Sequence, residues 1–324
     1  NFPKSVWIDD ADALEMTLRP GGPTSEGPVT AGPALSGPAG SGPVVAGSGS
    51  VDEDLQLYAL DGLMAMESSR ALPILQKLLA GNRSLKVKQR ALFVLSQSDD
   101  PEARAILVAT AKSGKPEELQ IEAVRSLGIA GDPEDIRSLQ EIYRAVPGAE
   151  TRGAILEAYL IAGEEKPLLD AARSDADPRM RSKAIELLGA LDATSALVDL
   201  YRAERSSEVK GKILEGMMIA GDKAQLLDAA RNETDRALRG KAIELLGAAQ
   251  GDRELVELYA ATADRDLREK IVQGLMIAGN GKAMVDLLRK EKDPELKKTI
   301  LQHLSMMDDD AAMDEIERVL TEKP

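Results

Sequence analysis

The chain has 324 residues, no cysteine, one histidine and a formal net charge of -14. The missing thiol excludes disulfides, thiolate nucleophiles and Cys metal sites, and the acidic balance disfavours nucleic-acid and anionic-membrane surfaces, which need Lys and Arg to displace counterions. Aromatic residues make up only 2% and charged residues of both signs 30%, which points away from one large core and toward thin apolar layers between helices.

Residues 1–19 (NFPKSVWIDDADALEMTLR) mix apolar and acidic side chains and read as the end of an upstream element or a short docking segment. The chain begins at Asn1 rather than Met, so a removed upstream piece is expected. Residues 20–50 are dominated by Pro, Gly, Ser, Ala and Thr. Such a stretch buries too little apolar surface to offset its ordering entropy, so a flexible tether is predicted. No apolar run approaches the roughly 18 residues of a membrane span.

From residue 51 the chain repeats. KAIELLGA occupies Lys183–Ala190 and again Lys241–Ala248, with KILEGMMIAG between them from Lys212 to Gly221. AILEAYLIAG at Ala154–Gly163 and KIVQGLMIAG at Lys270–Gly279 belong to the same series. The unit is 29 residues in two alternating flavours, with looser copies of about 32 marked by YALDGL, ALFVLS and AVRSLG. Nine units begin near residues 51, 85, 117, 149, 179, 208, 237, 266 and 295. Each holds two stretches with helical apolar spacing, and no stretch alternates with the period of a strand. Gly163, Gly221 and Gly279 fit left-handed helix ends. Asp222 and Asp252 are placed to cap second helices, and Asp-Pro at 177–178 and 293–294 to open first helices. The last unit, with Asp308–Asp310 and EIERVLTEKP, reads as a polar terminal cap. One such hairpin cannot bury its own apolar face, so the expected fold is an all-α solenoid in which neighbours supply the missing cover.

Ile121–Arg144 (IEAVRSLGIAGDPEDIRSLQEIYR) and Val209–Arg231 (VKGKILEGMMIAGDKAQLLDAAR) resemble short HEAT-like repeats of the phycobilisome-lyase type, and the resemblance covers about 51–324. It implies a right-handed α-α superhelix whose second helices line the concave side. Most relatives of this kind are scaffolds or adaptors, and a few help attach chromophores; no residue here marks chromophore chemistry.

The 29-residue register lines up columns of like residues. One is acidic: Glu141, Asp170, Asp199, Asp228, Glu257, Asp286 and Glu315. Three residues on runs a basic column, Arg144, Arg173, Arg202, Arg231, Arg289 and Arg318, broken at Ala260. At about 100° per residue the apolar arc around Asp199 is centred opposite the acid, so the acid points outward and the Arg flanks it. Two readings stay open: ordinary helix-surface pairs copied by duplication, each contributing about 0.2–0.5 kcal/mol, or a charge ladder that reads a protein partner. A further basic column opens the first helices: Arg152, Arg181, Lys210, Arg239, Arg268 and Lys297. It points coreward and is expected to lie half-buried between repeats with its heads paired. Tyr143, Tyr201 and Tyr259 recur every 58 residues inside the apolar arc and are expected to fill the core with the hydroxyl at an edge.

Nothing gathers into catalytic or metal-binding chemistry. His303 has no second His or Cys near it, Asp9, Asp10 and Asp12 do not fit a calcium loop, and the Gly-rich tether holds no phosphate-cradling motif. The chain therefore reads as a non-enzyme without catalytic residues, cofactor or metal. Its expected role is a scaffold or adaptor that grips a neutral or basic protein or peptide with the concave face. Alternatives are a regulatory or spacer arm of a larger protein, or a lyase-like, cofactor-loading accessory factor. The tether composition and the absent Met lean slightly toward an exported, periplasmic bacterial protein, with a cytoplasmic scaffold as the close alternative.

Overall fold

The first apolar-periodic stretch, Val51–Leu63, is helical, and every later predicted stretch follows suit. The computed structural model describes residues 51–321, apart from Gly114 and Pro147. The N-terminal segment 1–19 and the tether 20–50 lie outside the described residues. Eighteen helices are present among the described residues, with no strand. They form nine hairpins. The first three are α1 (Val51–Leu63) with α2 (Ser68–Ala80), α3 (Leu85–Ser96) with α4 (Pro101–Ser113), and α5 (Glu117–Ala130) with α6 (Pro133–Ala145). Next come α7 (Ala149–Ile161) with α8 (Glu165–Ser174), α9 (Pro178–Ala190) with α10 (Thr194–Ala203), and α11 (Ser207–Ile219) with α12 (Lys223–Asn232). The last are α13 (Arg236–Ala248) with α14 (Asp252–Ala261), α15 (Arg265–Ala278) with α16 (Gly281–Lys290), and α17 (Pro294–Leu304) with α18 (Asp310–Thr321).

The first helices stack on one another in one layer and the second helices form the other. A first helix is covered by both neighbours and by its own partner, so α7 buries Ala154, Ile155, Leu156, Ala158 and Tyr159 almost all round. A second helix buries only one stripe, such as Leu226, Ala229 and Ala230 in α12. The two layers are spaced differently. In the first-helix layer backbone meets backbone: a Cβ on Gly189 of α9 would lie 2.5 Å from the Gly216 carbonyl oxygen of α11, and Gly247 of α13 meets Gly274 of α15 in the same way. These contacts recur every second interface and account for the two alternating flavours of repeat. The second helices contact their neighbours from α2 to α6 and from α12 to α18, but stand further apart across α6, α8, α10 and α12.

The turns follow the predicted chemistry with two corrections. Gly163, Gly221 and Gly279 are left-handed, with φ of 73°, 70° and 74°. In the turns after α7, α9, α11 and α13 the chain closes with the backbone bond expected of such an end, as in Asp222 N–H to Met217 O at 2.9 Å. The alternate flavour places Asp192 and Gln250 in the same left-handed position, at φ 58° and 55°. Asp222 caps α12 through the Gln225 amide, and Asp177 and Asp293 cap helices that open on Pro178 and Pro294. Asp252 is not the cap of α14: Gly251 occupies that place and Asp252 is the first helical residue, because Gln250 already takes the left-handed turn. The terminal helix α18 is not a purely polar cap, since Met313 and Leu320 are 61% and 80% exposed.

Gly189→Ala is expected to destabilise the protein by about 1–3 kcal/mol, although Ala is the better helix former, because the added methyl has no room. Gly62→Ala, with open space around it, is expected to stabilise by about 0.5–1 kcal/mol. Gln250→Gly relieves a left-handed residue and should stabilise by about 1 kcal/mol. Urea denaturation of the three variants checks all three signs.

Candidate functional site

The ladder lies on the second helices, as the helical wheel requires. Glu141, Asp170, Asp199, Asp228, Glu257 and Asp286 are all exposed, and so are Arg144, Arg173, Arg202, Arg231 and Arg289. Glu315 is the exception, at 1% exposure, because Arg289 and Arg318 close over it at 2.6 and 2.5 Å. Hydrogen bonds from Arg318, working against the cost of burial, and from Arg289 hold the Glu315 carboxyl at about 2.

The expected pairing within one helix, acid to Arg three residues on, occurs among the described residues of the ladder only at Glu315–Arg318. Pairs form instead across repeats, from the cation of one second helix to the acid of the next. Lys112 reaches Glu141 at 3.1 Å, Arg231 reaches Glu257 at 2.6 Å, and Arg289 reaches Glu315. The three closed rungs all end on Glu and lie where second helices touch. The rungs Arg144/Asp170, Arg173/Asp199 and Arg202/Asp228 end on the shorter Asp and lie where the second helices spread. In these rungs no ion pair forms among the described residues; Asp228 only accepts a hydrogen bond from Asn232 in its own helix. At Ala260 the cation facing Asp286 is missing.

The tyrosines and the first-helix cations belong to a separate, repeated clasp. The Tyr143 hydroxyl donates to Asp175 Oδ2 at 2.5 Å, Tyr201 to Glu233 Oε2 at 2.7 Å, and Tyr259 to Glu291. Onto the same carboxylates come Arg152 at 3.2 Å, Lys210 at 2.9 Å and Arg268 at 3.4 Å. Each cation also lies over the ring of its tyrosine, Lys210 Nζ at 4.7 Å from the Tyr201 centroid. The other oxygen of each carboxylate accepts backbone amides of the turn into the next repeat, as Glu233 does from Thr234. Burial alone would raise the Glu233 carboxyl, but hydrogen bonds from Lys210 and Tyr201 outweigh it and hold it at about 2. Burial and the carboxylate bond push the Tyr201 hydroxyl upward, so it stays a donor. Arg181 and Arg239 in the alternate repeats donate instead to the carbonyls of Asp175 and Ala230. Lys297 departs from the half-buried pattern and is exposed. The clasp acids Asp175, Glu233 and Glu291 escaped the sequence reading, although their 58-residue spacing in AARSD, AARNE and LRKE carried the signal.

His303 is half-buried, with Nδ1 at 2.8 Å from its own helix's Thr299 carbonyl. Among the described residues no three His, Asp or Glu side chains converge on a metal-binding arrangement, and no helix is long and apolar enough to cross a membrane.

Stacked two-helix repeats with inter-repeat clasps define a HEAT-like α-solenoid. Residues 72–159 match the family of HEAT repeats, and the hairpin stack continues without a break to residue 321, so the chain is a HEAT-like repeat protein. No curated protein matches it. Among solved structures it is similar to a chain in a homology model of the full-length AP-3 complex, at 11% identity and TM-score 0.42, over 82% of this chain and 57% of that one. It is also similar to Escherichia coli YibA at 13% identity and TM-score 0.38, over 81% and 99% of the two chains. A third is the complex of CpcE and CpcF of phycocyanin lyase from Nostoc sp., at 15% identity and TM-score 0.32, over 83% and 100%.

Because the folded carboxyls of Glu233 and Glu315 sit below their ordinary 4.5, their stabilisation is complete above that value and is lost as pH falls toward about 2. Glu315→Gln is expected to lower stability at pH 7 by about 3 kcal/mol, the usual cost of breaking a buried pair. The difference from the native chain should vanish near pH 2. Denaturant titrations at several pH values provide the check.

Proposed function

We propose that the chain is a protein-binding scaffold and that its binding surface is the second-helix face from α6 to α12. The repeat solenoid fits such a role: it presents one rigid, regularly spaced surface without a catalytic arrangement among the described residues. The observation that carries the reading is the open stretch of the ladder. At Lys112–Glu141, Arg231–Glu257 and Arg289–Glu315 the charges neutralise each other across repeats; here Arg144, Arg173 and Arg202 alternate with Asp170, Asp199 and Asp228 without closing. Exposed charges at fixed spacing favour a protein segment of complementary pattern and fix its register. The acidic balance of the chain favours a neutral or basic partner overall.

A second reading has one observation of its own. Ile129, Ile161, Ile219 and Ile277 are 42–64% exposed and form an apolar stripe along the first-helix face, which a partner could cover instead.

Affinity capture with the full chain beside the Asp170→Asn/Asp199→Asn/Asp228→Asn variant separates the two. The ladder reading expects a partner held by the native chain and at least tenfold weaker on the variant. Undiminished retention by the variant moves the site to the isoleucine stripe.

A further inference from the structure

Between α6 and α8, where the second helices first spread, lies an open cavity of about 670 Å³. Its charged lining is Arg144, Arg152, Arg173, Asp170 and Asp175. Asp175 is already committed to the clasp with Tyr143 and Arg152. That leaves Arg144 and Arg173 facing the single free acid Asp170, a local excess of positive charge in a strongly acidic protein.

Two donors on residues that line the cavity make no hydrogen bond among the described residues, and the Arg152 Nε is the buried one of the two. The Nε of Arg152 is buried and makes no hydrogen bond. Tyr159, on α7, is 2% exposed and lines the same cavity, and its hydroxyl makes no hydrogen bond among the described residues. Burial raises this hydroxyl and outweighs the opposing charge of Arg144, so it remains a protonated donor. A donor without a protein acceptor is free to bond an arriving one. The guanidinium groups only donate and carry positive charge, and the protonated phenol can donate beside them, so the cavity favours an oxyanion. Asp170 at the rim disfavours a doubly charged one. Pro167 and Ala171 give the rim an apolar stretch suited to the methylenes of a short acidic side chain.

We propose that this cavity takes the carboxylate of an Asp or Glu side chain of the protein partner, with the Arg152 Nε, Tyr159, Arg144 and Arg173 donating to it. The inference rests on the scaffold reading and adds the partner's chemistry. Beyond the cavity the next free acids are Asp199 and Asp228, one repeat apart. The fitting segment therefore carries an acidic residue followed by basic residues that meet Asp199 and Asp228 in turn.

The test is NMR of the isotope-labelled full chain, reading the Arg Nε–H signals and the Tyr159 ring. The probes are N-acetylglutamate amide, N-acetylglutamine amide and inorganic phosphate. The proposal expects the glutamate probe to shift Arg144, Arg152, Arg173 and Tyr159 at millimolar concentration, and the glutamine probe to leave them unmoved. Arg173→Gln, an exposed change that leaves the core intact, should weaken the glutamate probe about tenfold. No shift with the glutamate probe, or shifts with phosphate alone, overturns it. If the cavity signals stay still while the triple Asn variant loses the partner, the carboxylate assignment fails and the scaffold reading stands. If the cavity takes the probe while that variant keeps the partner, the assignment stands and the ladder reading fails.

Discussion

A 29-residue helical hairpin has too little apolar surface to close a core by itself, and every other feature of the chain answers to that constraint. Each repeat must be covered by the next, so the interface between repeats is where stability resides. In the first-helix layer the solution is removal of side chains: Gly189 against Gly216 and Gly247 against Gly274 let backbones touch and let the flanking Leu and Ile interdigitate. Tight contact at every second interface needs two kinds of first helix, and the sequence accordingly alternates KAIELLGA with KILEGMMIAG.

The second-helix layer meets the same constraint with polar groups. The Tyr–carboxylate–cation clasp joins three successive parts of the chain: a tyrosine of one repeat, the first-helix cation of the next, and the carboxylate that ends its second helix. Since that carboxylate also binds the turn amides, one side chain fixes both the interface and the direction in which the next repeat leaves. The clasps hold the stack while the outer rungs are free to vary. Where Glu meets Arg or Lys the rungs close; across α6 to α12, where Asp meets Arg over a wider gap, they stay open. A surface available for binding thus arises without any cost to the core beneath it.

Much of this was legible in the sequence. All nine hairpins follow from the apolar period and the repeat spacing, and Gly163, Gly221 and Gly279 mark their turns because no other residue adopts the left-handed conformation so cheaply. The outward position of the acidic column follows from its angle to the apolar arc. The partner of each charge did not, because a wheel describes one helix and the pairs at Arg231–Glu257 and Arg289–Glu315 cross between two. The burial of Glu315 was hidden for the same reason: it depends on Arg289 closing over it from the preceding repeat. Asp252 was misplaced by one residue because Gln250, a residue with no turn preference, adopts the left-handed position that Gly holds in the sister repeats. The cavity beneath Tyr159 depends on the spread of α6 from α8, which no local pattern encodes.

The central claim is that the open rungs, and not the closed ones, face the partner. Site-specific photo-crosslinking tests it most directly, with a benzophenone amino acid placed at Asp199, at Arg289 and at Ile219 in separate full-length chains. The account predicts a partner adduct from position 199 and none from 289 or 219. An adduct from 219 with none from 199 would contradict it and assign recognition to the first-helix face.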